Sequence, residues 1–237
     1  MKSWLRALAP LPLLAMWRAI KSYLVDVDAM ESYSQEGEDM ILRRVFEGRS
    51  RGYYVDVGAH HPRRFSNTYY FYKRGWSGIN VDATPGSMAL FRRWRPRDIN
   101  LEMAIGLSTQ PLTFYLFNEP ALNTFDPALA QEREKPPYRV VERRLITPHT
   151  LTEILSQYLP AGQHIDFLTV DVEGLDLMVL QSNDWQRFRP SYVLVECFGA
   201  TPETMLQNPI YQYLRGVGYR FFAMTVNTAF FRISDYV

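Results

Sequence analysis

Four carboxylates stand where extended apolar runs stop. They are Asp56 after Tyr53-Tyr54-Val55, Asp82 after Ile79-Asn80-Val81, Asp171 after Phe167-Leu168-Thr169-Val170, and Glu196 after Val193-Leu194-Val195. One such acid is ordinary, because turns favour aspartate. Four on one rim describe a crevice, since an open α/β sheet takes its ligands beyond the carboxyl ends of its strands. Asp82, closing the second run, stands where a carboxylate accepts both hydroxyls of a ribose. Asp171 and Glu173, in Asp171-Val172-Glu173-Gly174, can face a second molecule and take a proton from it. If the strand persists their faces alternate, so only one of the two reaches that molecule. His61, next to His60, is a further candidate base. Cys197 lacks a Cys-His signature and reads as a buried thiol, and no ligand spacing asks for a metal.

The elements that would position these groups alternate. A helix carrying Met40, Ile41, Leu42, Val45 and Phe46 precedes the first strand, which ends at Asp56. The next helix spans roughly Ser66 to Lys73 and stops at Arg74-Gly75, a cation then a glycine. Gly78 to Asp82 is a second strand, Pro85 to Trp94 a helix with proline near its first turn, and Ile99 to Ile105 a third strand. The rhythm then breaks. Leu112 to Phe117 alternates like a strand, Asn118 to Pro137 has no period, and Tyr138 to Ile146 is extended again. This stretch reads as a β-rich insertion with a flexible loop, where selectivity is often carried. Thr150 to Tyr158 is a helix, Ile165 to Val170 and Ser191 to Val195 are strands, and Thr201 to Val217 is mostly helical. Tyr219 to Thr225 and Ala229 to Ile233 pair as a terminal hairpin. Parallel units closed by an antiparallel hairpin are the layout of class I methyltransferases; dehydrogenases continue with parallel units instead.

The turn Asp56-Val57-Gly58-Ala59-His60-His61-Pro62 chooses between cofactors. A dinucleotide fingerprint uses three glycines so that the backbone can approach a pyrophosphate. Here there is one glycine, a bulky histidine pair and an acid directly upstream. The ammonium and sulfonium of S-adenosylmethionine suit an acidic rim better than a pyrophosphate does.

At these residues the chain resembles the FkbM family of S-adenosylmethionine-dependent methyltransferases. The matching text is Tyr33-Ser34-Gln35-Glu36-Gly37-Glu38-Asp39, Gly52 to Ala59, Ser66-Asn67-Thr68-Tyr69-Tyr70-Phe71, Gly75 to Asp82, and Phe167 to Gly174. The resemblance implies a class I fold and O-methylation, often of sugars, glycans and related metabolites. It implies that Asp56, Gly58 and Ala59 hold the methionine end, with Gln35 and His60 beside them, and that Asp82 holds the ribose. It further implies that Ala104 lines the adenine and that Asp171 with Glu173 faces the acceptor. Many members carry an asparagine and a second glycine where this chain has His60-His61-Pro62.

The totals agree with one globular domain. The apolar share of 47% excludes global disorder, and the net charge of +1 gives no sign of a nucleic-acid partner. A lone cysteine excludes an internal disulfide and fits a cytoplasmic protein. Ala7 to Trp17 is too short to span a bilayer. Leu13, Leu14, Trp17, Ile20 and Leu24 recur at helical spacing with Arg18 and Lys21 off the stripe, a pattern that suits either peripheral membrane contact through residues 1–25 or packing on the domain. The expectation is therefore a seven-stranded, mostly parallel α/β sheet of the Rossmann-like class I methyltransferase type. Residues 32–237 form the catalytic domain, residues 1–31 a basic and apolar helical segment, and residues 107–148 an insertion. The expected activity is methyl transfer from S-adenosylmethionine to a hydroxyl of a small-molecule or glycan acceptor. A non-catalytic scaffold of the same fold and a nicotinamide-dependent oxidoreductase are the alternatives.

Overall fold

The computed structural model describes residues 15–16, 29–107 and 110–234. The segment of residues 1–25 proposed for membrane contact lies, apart from residues 15–16, outside the described residues. The chain forms two compact units, Met1–Ser32 and Tyr33–Val237, and the second holds every element discussed below.

Its first helix, α1 (Glu38–Val45), begins with two acids and ends with two arginines, the order that the helix dipole favours. Then come β1 (Tyr53–Val57), α2 (Tyr69–Tyr72), β2 (Ser77–Asp82), α3 (Ser87–Trp94) and β3 (Ile99–Glu102). Four strands follow the insertion: β6 (Phe167–Val170), β7 (Tyr192–Glu196) and then the hairpin β8 (Tyr219–Met224) with β9 (Thr228–Ile233). Between them lie α5 (Leu151–Tyr158), α6 (Asp176–Gln181) and α7 (Pro209–Gly216). The main sheet has seven strands in the order β3-β2-β1-β6-β7-β9-β8, with β9 running antiparallel between β7 and β8. The order reverses direction between β1 and β6, so the cleft of this sheet opens beyond Val57 and Val170. The seven-stranded, mostly parallel α/β fold expected from the sequence is the fold observed.

All five residues of β1 are buried, as the central strand of a doubly covered sheet requires. Tyr53, Val55 and Val57 face one layer, with Leu168, Val170 and Val193. Tyr54 faces the other, with Phe71, Trp76, Phe167 and Phe230. Burying side chains of this size contributes roughly 1.5–3 kcal/mol each relative to leaving them in water.

Several boundaries differ from the periodicity. The second helix is a single turn, Tyr69–Tyr72; before it, Thr68 donates its hydroxyl to Asp56 and Ser66 Oγ accepts from Tyr69 N. β3 stops at Glu102; Ile105 only touches His149 in an isolated bridge. The segment from 201 to 217 splits at Asn208, which caps α7 just before Pro209. The insertion is more ordered than its polar text suggests. β4 (Leu112–Phe117) and β5 (Val140–Ile146) make a separate two-stranded sheet, and α4 (Pro127–Arg133) lies between them, with Asp126 accepting hydrogen bonds from the amides of Ala128 and Leu129. Among the described residues no helix is long and apolar enough to cross a membrane.

Candidate active site

The loop after β1 is built around one glycine. Gly58 has φ +84°, and a Cβ there would stand 1.6 Å from the carbonyl oxygen of Asp171. Its amide and that of Ala59 donate to the carbonyl of Val81 at 2.9 and 3.1 Å, which fixes the loop against β2. The next amide, of His60, donates to Asp82 Oδ2 at 2.8 Å, and Thr84 N donates to Oδ1 at 2.7 Å. Both oxygens of Asp82 are thus oriented by backbone, each with a lone pair left over.

Two cavities meet at this point. One, of about 110 Å³, is walled by Gln35, Gly58, His60, Asp82, Asp171 and Glu173. The other, of about 40 Å³, shares Gly58 and Asp82 and is otherwise mostly apolar, with Met103, Ala104, Ile105 and Leu175 on its walls. Six residues singled out in the sequence therefore line one cavity, and Ala104 lines its neighbour.

Three do not. Ala59 is buried against Met88 and Phe91, where it packs the loop onto α3. Asp56 is 6% exposed and lies behind the wall. Its Oδ2 accepts from the Thr68 hydroxyl at 2.7 Å, and Thr68 Oγ1 in turn accepts from the fully buried Arg95 at 2.9 and 3.0 Å. Burial pushes the Asp56 carboxyl up to about 6 despite the opposing pull of Arg95 and Thr68. Asp56 thus braces the loop from below. His61 is the third: its Nδ1 accepts from the amides of Arg63 and Arg64 at 3.1 and 3.0 Å, so the ring closes a turn instead of facing an acceptor. Burial, then His60, lowers its pKa. His60 does line the cavity, with burial lowering its pKa and Asp82 opposing.

At the end of β6 the strand does not persist, so the expected alternation of Asp171 and Glu173 fails. Glu173 takes φ +57°, which swings it back and puts both acids on the cavity wall. They are not equivalent. Glu173 pairs with Arg133 of α4, and its carbonyl accepts from Thr124 Oγ1 at 2.8 Å. Among the described residues nothing hydrogen-bonds the Asp171 carboxylate, which opens into the cleft. Although Asp171 is exposed to the cleft, desolvation by the surrounding chain and the acids Glu196, Glu173, Asp176 and Asp56 hold its pKa well above the usual carboxylate range. Glu196 is pushed up to about 8 by burial and by Glu173 and Asp176. Asp176 accepts from the amides of Val172 and Gly174 at 3.0 and 3.2 Å and so fixes this loop.

Two further elements close the cavity. Gln35 is delivered by a clamp across the domain: Glu36 Oε2 accepts from Asn227 N at 2.8 Å, and Oε1 from Asn227 Nδ2 at 2.6 Å. Burial works against the Glu36 charge, and the hydrogen bonds from Asn227, Thr225 and Val226 together outweigh it to lower the pKa. The insertion supplies Phe114, Asn123 and Phe125, none of them identified from the sequence. Asn123 Nδ2 donates to Thr84 Oγ1 at 3.1 Å, and Phe114 stacks on Phe125 at 4.3 Å between centroids. Glu119-Pro120 and Asp126-Pro127, each a cap before a first-turn proline, are local signals that this stretch folds. Among the described residues, the non-glycine positions with positive φ are His60, Phe65 and Glu173, and all three line this cavity. Strain of that kind costs of order 1–3 kcal/mol per residue and collects where geometry serves a ligand.

A model of the methyltransferase FkbM domain matches residues 56–221. The chain belongs to the FkbM methyltransferase family. The family match contains the cleft from Asp56 to Glu196 and leaves out the Glu36 clamp on one side and Asn227 on the other. Among curated proteins none matches the chain. Among solved structures, it is similar to the crystal structure of a TehB-like SAM-dependent methyltransferase from Corynebacterium glutamicum. That match has 10% identity, a TM-score of 0.42 and coverage of 94% of this chain and 100% of the other.

Proposed function

We propose that this methyltransferase uses S-adenosylmethionine and methylates a hydroxyl of a sugar, glycan or related metabolite. The residues suit that donor. Asp82 offers two oriented oxygens with spare lone pairs, as a ribose diol needs. The apolar slot beside it, with Ala104 on its wall, suits a purine ring. Gln35 offers a polar group to a cationic end. S-adenosylmethionine, when bound, supplies an electrophilic methyl group on a sulfonium.

What the chain adds is placement and a proton acceptor. The observation that carries the reading is Asp171, a carboxylate without a hydrogen-bond partner among the described residues, in the same cavity as Asp82. A hydroxyl must lose its proton as its oxygen bonds to carbon, and an acid with a raised pKa in a cleft is suited to receive it. Glu173, neutralised by Arg133, holds shape beside it. The aromatic pair Phe114 and Phe125 gives a wall on which a sugar ring can pack.

The direct test is transfer of an isotope-labelled methyl group from S-adenosylmethionine into glycan and lipid-linked extracts, read by mass spectrometry. Label on a sugar oxygen is the expected result. Label on nitrogen or carbon would replace the acceptor class, and donor binding with no transfer to any extract would favour the scaffold reading.

A further inference from the structure

Between residues 60 and 100 the charge is segregated. The acids there, Asp82 and Asp98, are both buried, whereas Arg63, Arg64, Arg92, Arg93 and Arg97 are exposed. Large apolar side chains stand among these cations. Phe65 is 48% exposed, Leu90 46% and Trp94 48%. Leu90 and Trp94 are one turn apart on α3, so they share a face. The Arg63 guanidinium lies 5.2 Å from the centre of the Trp94 ring, which joins the loop to that helix. Phe65 has φ +55°, an unfavourable conformation for a bulky residue, and it is held outward while also lining the active cavity. The exposed acid that reaches this loop is Glu119 of the insertion, which pairs with Arg64.

Exposed arginines interleaved with Trp, Leu and Phe fit an anionic interface with an apolar layer beneath it, because the rings and the aliphatic stem insert while the cations meet headgroups. A solvated charged face would not need its apolar residues exposed, nor Phe65 in a strained backbone. We propose that the His60–Phe65 loop and the Leu90–Trp94 face of α3 form a docking surface for an anionic lipid membrane, which brings the cavity mouth against the bilayer. Leu90, Arg92, Arg93 and Trp94 of this surface lie outside the cavity, so the proposal can be tested apart from the methyl-transfer chemistry.

The test is co-sedimentation of the full-length protein with phosphatidylcholine vesicles, with or without roughly one-third phosphatidylserine. Binding to the anionic vesicles is expected, with release when salt rises from about 0.1 M to about 0.5 M. R92E/R93E should weaken partitioning at least tenfold, since each basic residue near such a surface contributes about fivefold. Leu90→Ala with Trp94→Ala should weaken it several-fold while leaving the salt dependence in place. Neither variant touches the cavity, so donor binding by calorimetry should match wild type, which separates failure of docking from failure of the methyltransferase reading. Equal binding to zwitterionic vesicles, unchanged partitioning of both variants, or preference for a single-stranded oligonucleotide over the anionic vesicles would overturn the proposal.

Discussion

The end of β2 and the end of β6 face each other across one cleft, and their acids are prepared for different work. Asp82 is held by two backbone amides, one to each oxygen. Asp171 is held by none among the described residues and is surrounded by Glu173, Asp176 and Glu196. A carboxylate with fixed oxygens in a set geometry is a binder. One crowded by other acids has its proton affinity raised and is a proton acceptor. Acids that look alike in the sequence are thus divided between recognition and chemistry by who donates to them.

The two rims touch where Gly58 meets the Asp171 carbonyl, and that contact is the first place to break the comparison. Gly58→Ala should abolish soluble folded protein or shift its melting point by many degrees, because the added carbon would stand 1.6 Å from that oxygen; differential scanning fluorimetry reads this directly. Asp171→Asn tests the β6 rim. Turnover should fall by about a hundredfold or more, as loss of a general base does, while calorimetric affinity for S-adenosylmethionine stays near wild type. Equal losses in both would move Asp171 to the donor side and erase the contrast. Asp82→Ala tests the other rim and should do the reverse, weakening donor affinity roughly ten- to hundredfold, the range for hydrogen bonds to a charged group. If affinity holds, Asp82 merely ties the loop.

The smallest effect concerns pH. Glu196 binds more protons folded than unfolded between the ordinary carboxylate range and about 8. Its contribution to stability is therefore complete below that ordinary range and is lost as pH rises through about 8. Glu196→Gln, which resembles the neutral form, should melt above wild type at pH 9 by no more than about 2–4 °C, the shift that 1 kcal/mol gives a domain of this size. The gap should close toward pH 5; a constant gap would mean that the acid is not strained by its neighbours.

Much of the cleft was legible because it follows the sheet. Buried runs ending in acids located Asp82 and Asp171, and the terminal hairpin predicted the antiparallel β9. What escaped depends on contacts between distant segments. Arg95 sits in Arg92-Arg93-Trp94-Arg95, a run that reads as a charged surface, yet Asp98 and Tyr54 draw that one guanidinium wholly inside. α4 buries only Ala130, so it has no apolar stripe to announce it, and its Arg133 finds Glu173 across 40 positions. Asp56 carries the motif and is expected at the methionine end; as a strand residue on the Tyr54 side it accepts from Thr68, behind the cavity wall. The net charge of +1 was read as the lack of a basic field; it is the sum of an acidic cleft and a basic flank.

The hydrogen bonds from Asn227 to Glu36 join positions 191 residues apart. During synthesis Glu36 leaves the ribosome long before its partner, and β9, which fills the gap between β7 and β8, emerges later still. The nascent chain can assemble the β1–β2 rim early, but Gln35 has no such anchor until the hairpin turn arrives. The mouth of the cavity is therefore the last part of the site to form. A ribosome stalled before residue 227 would hold a chain that already displays Asp82 and Asp171 and still lacks the clamp that sets Gln35 over them.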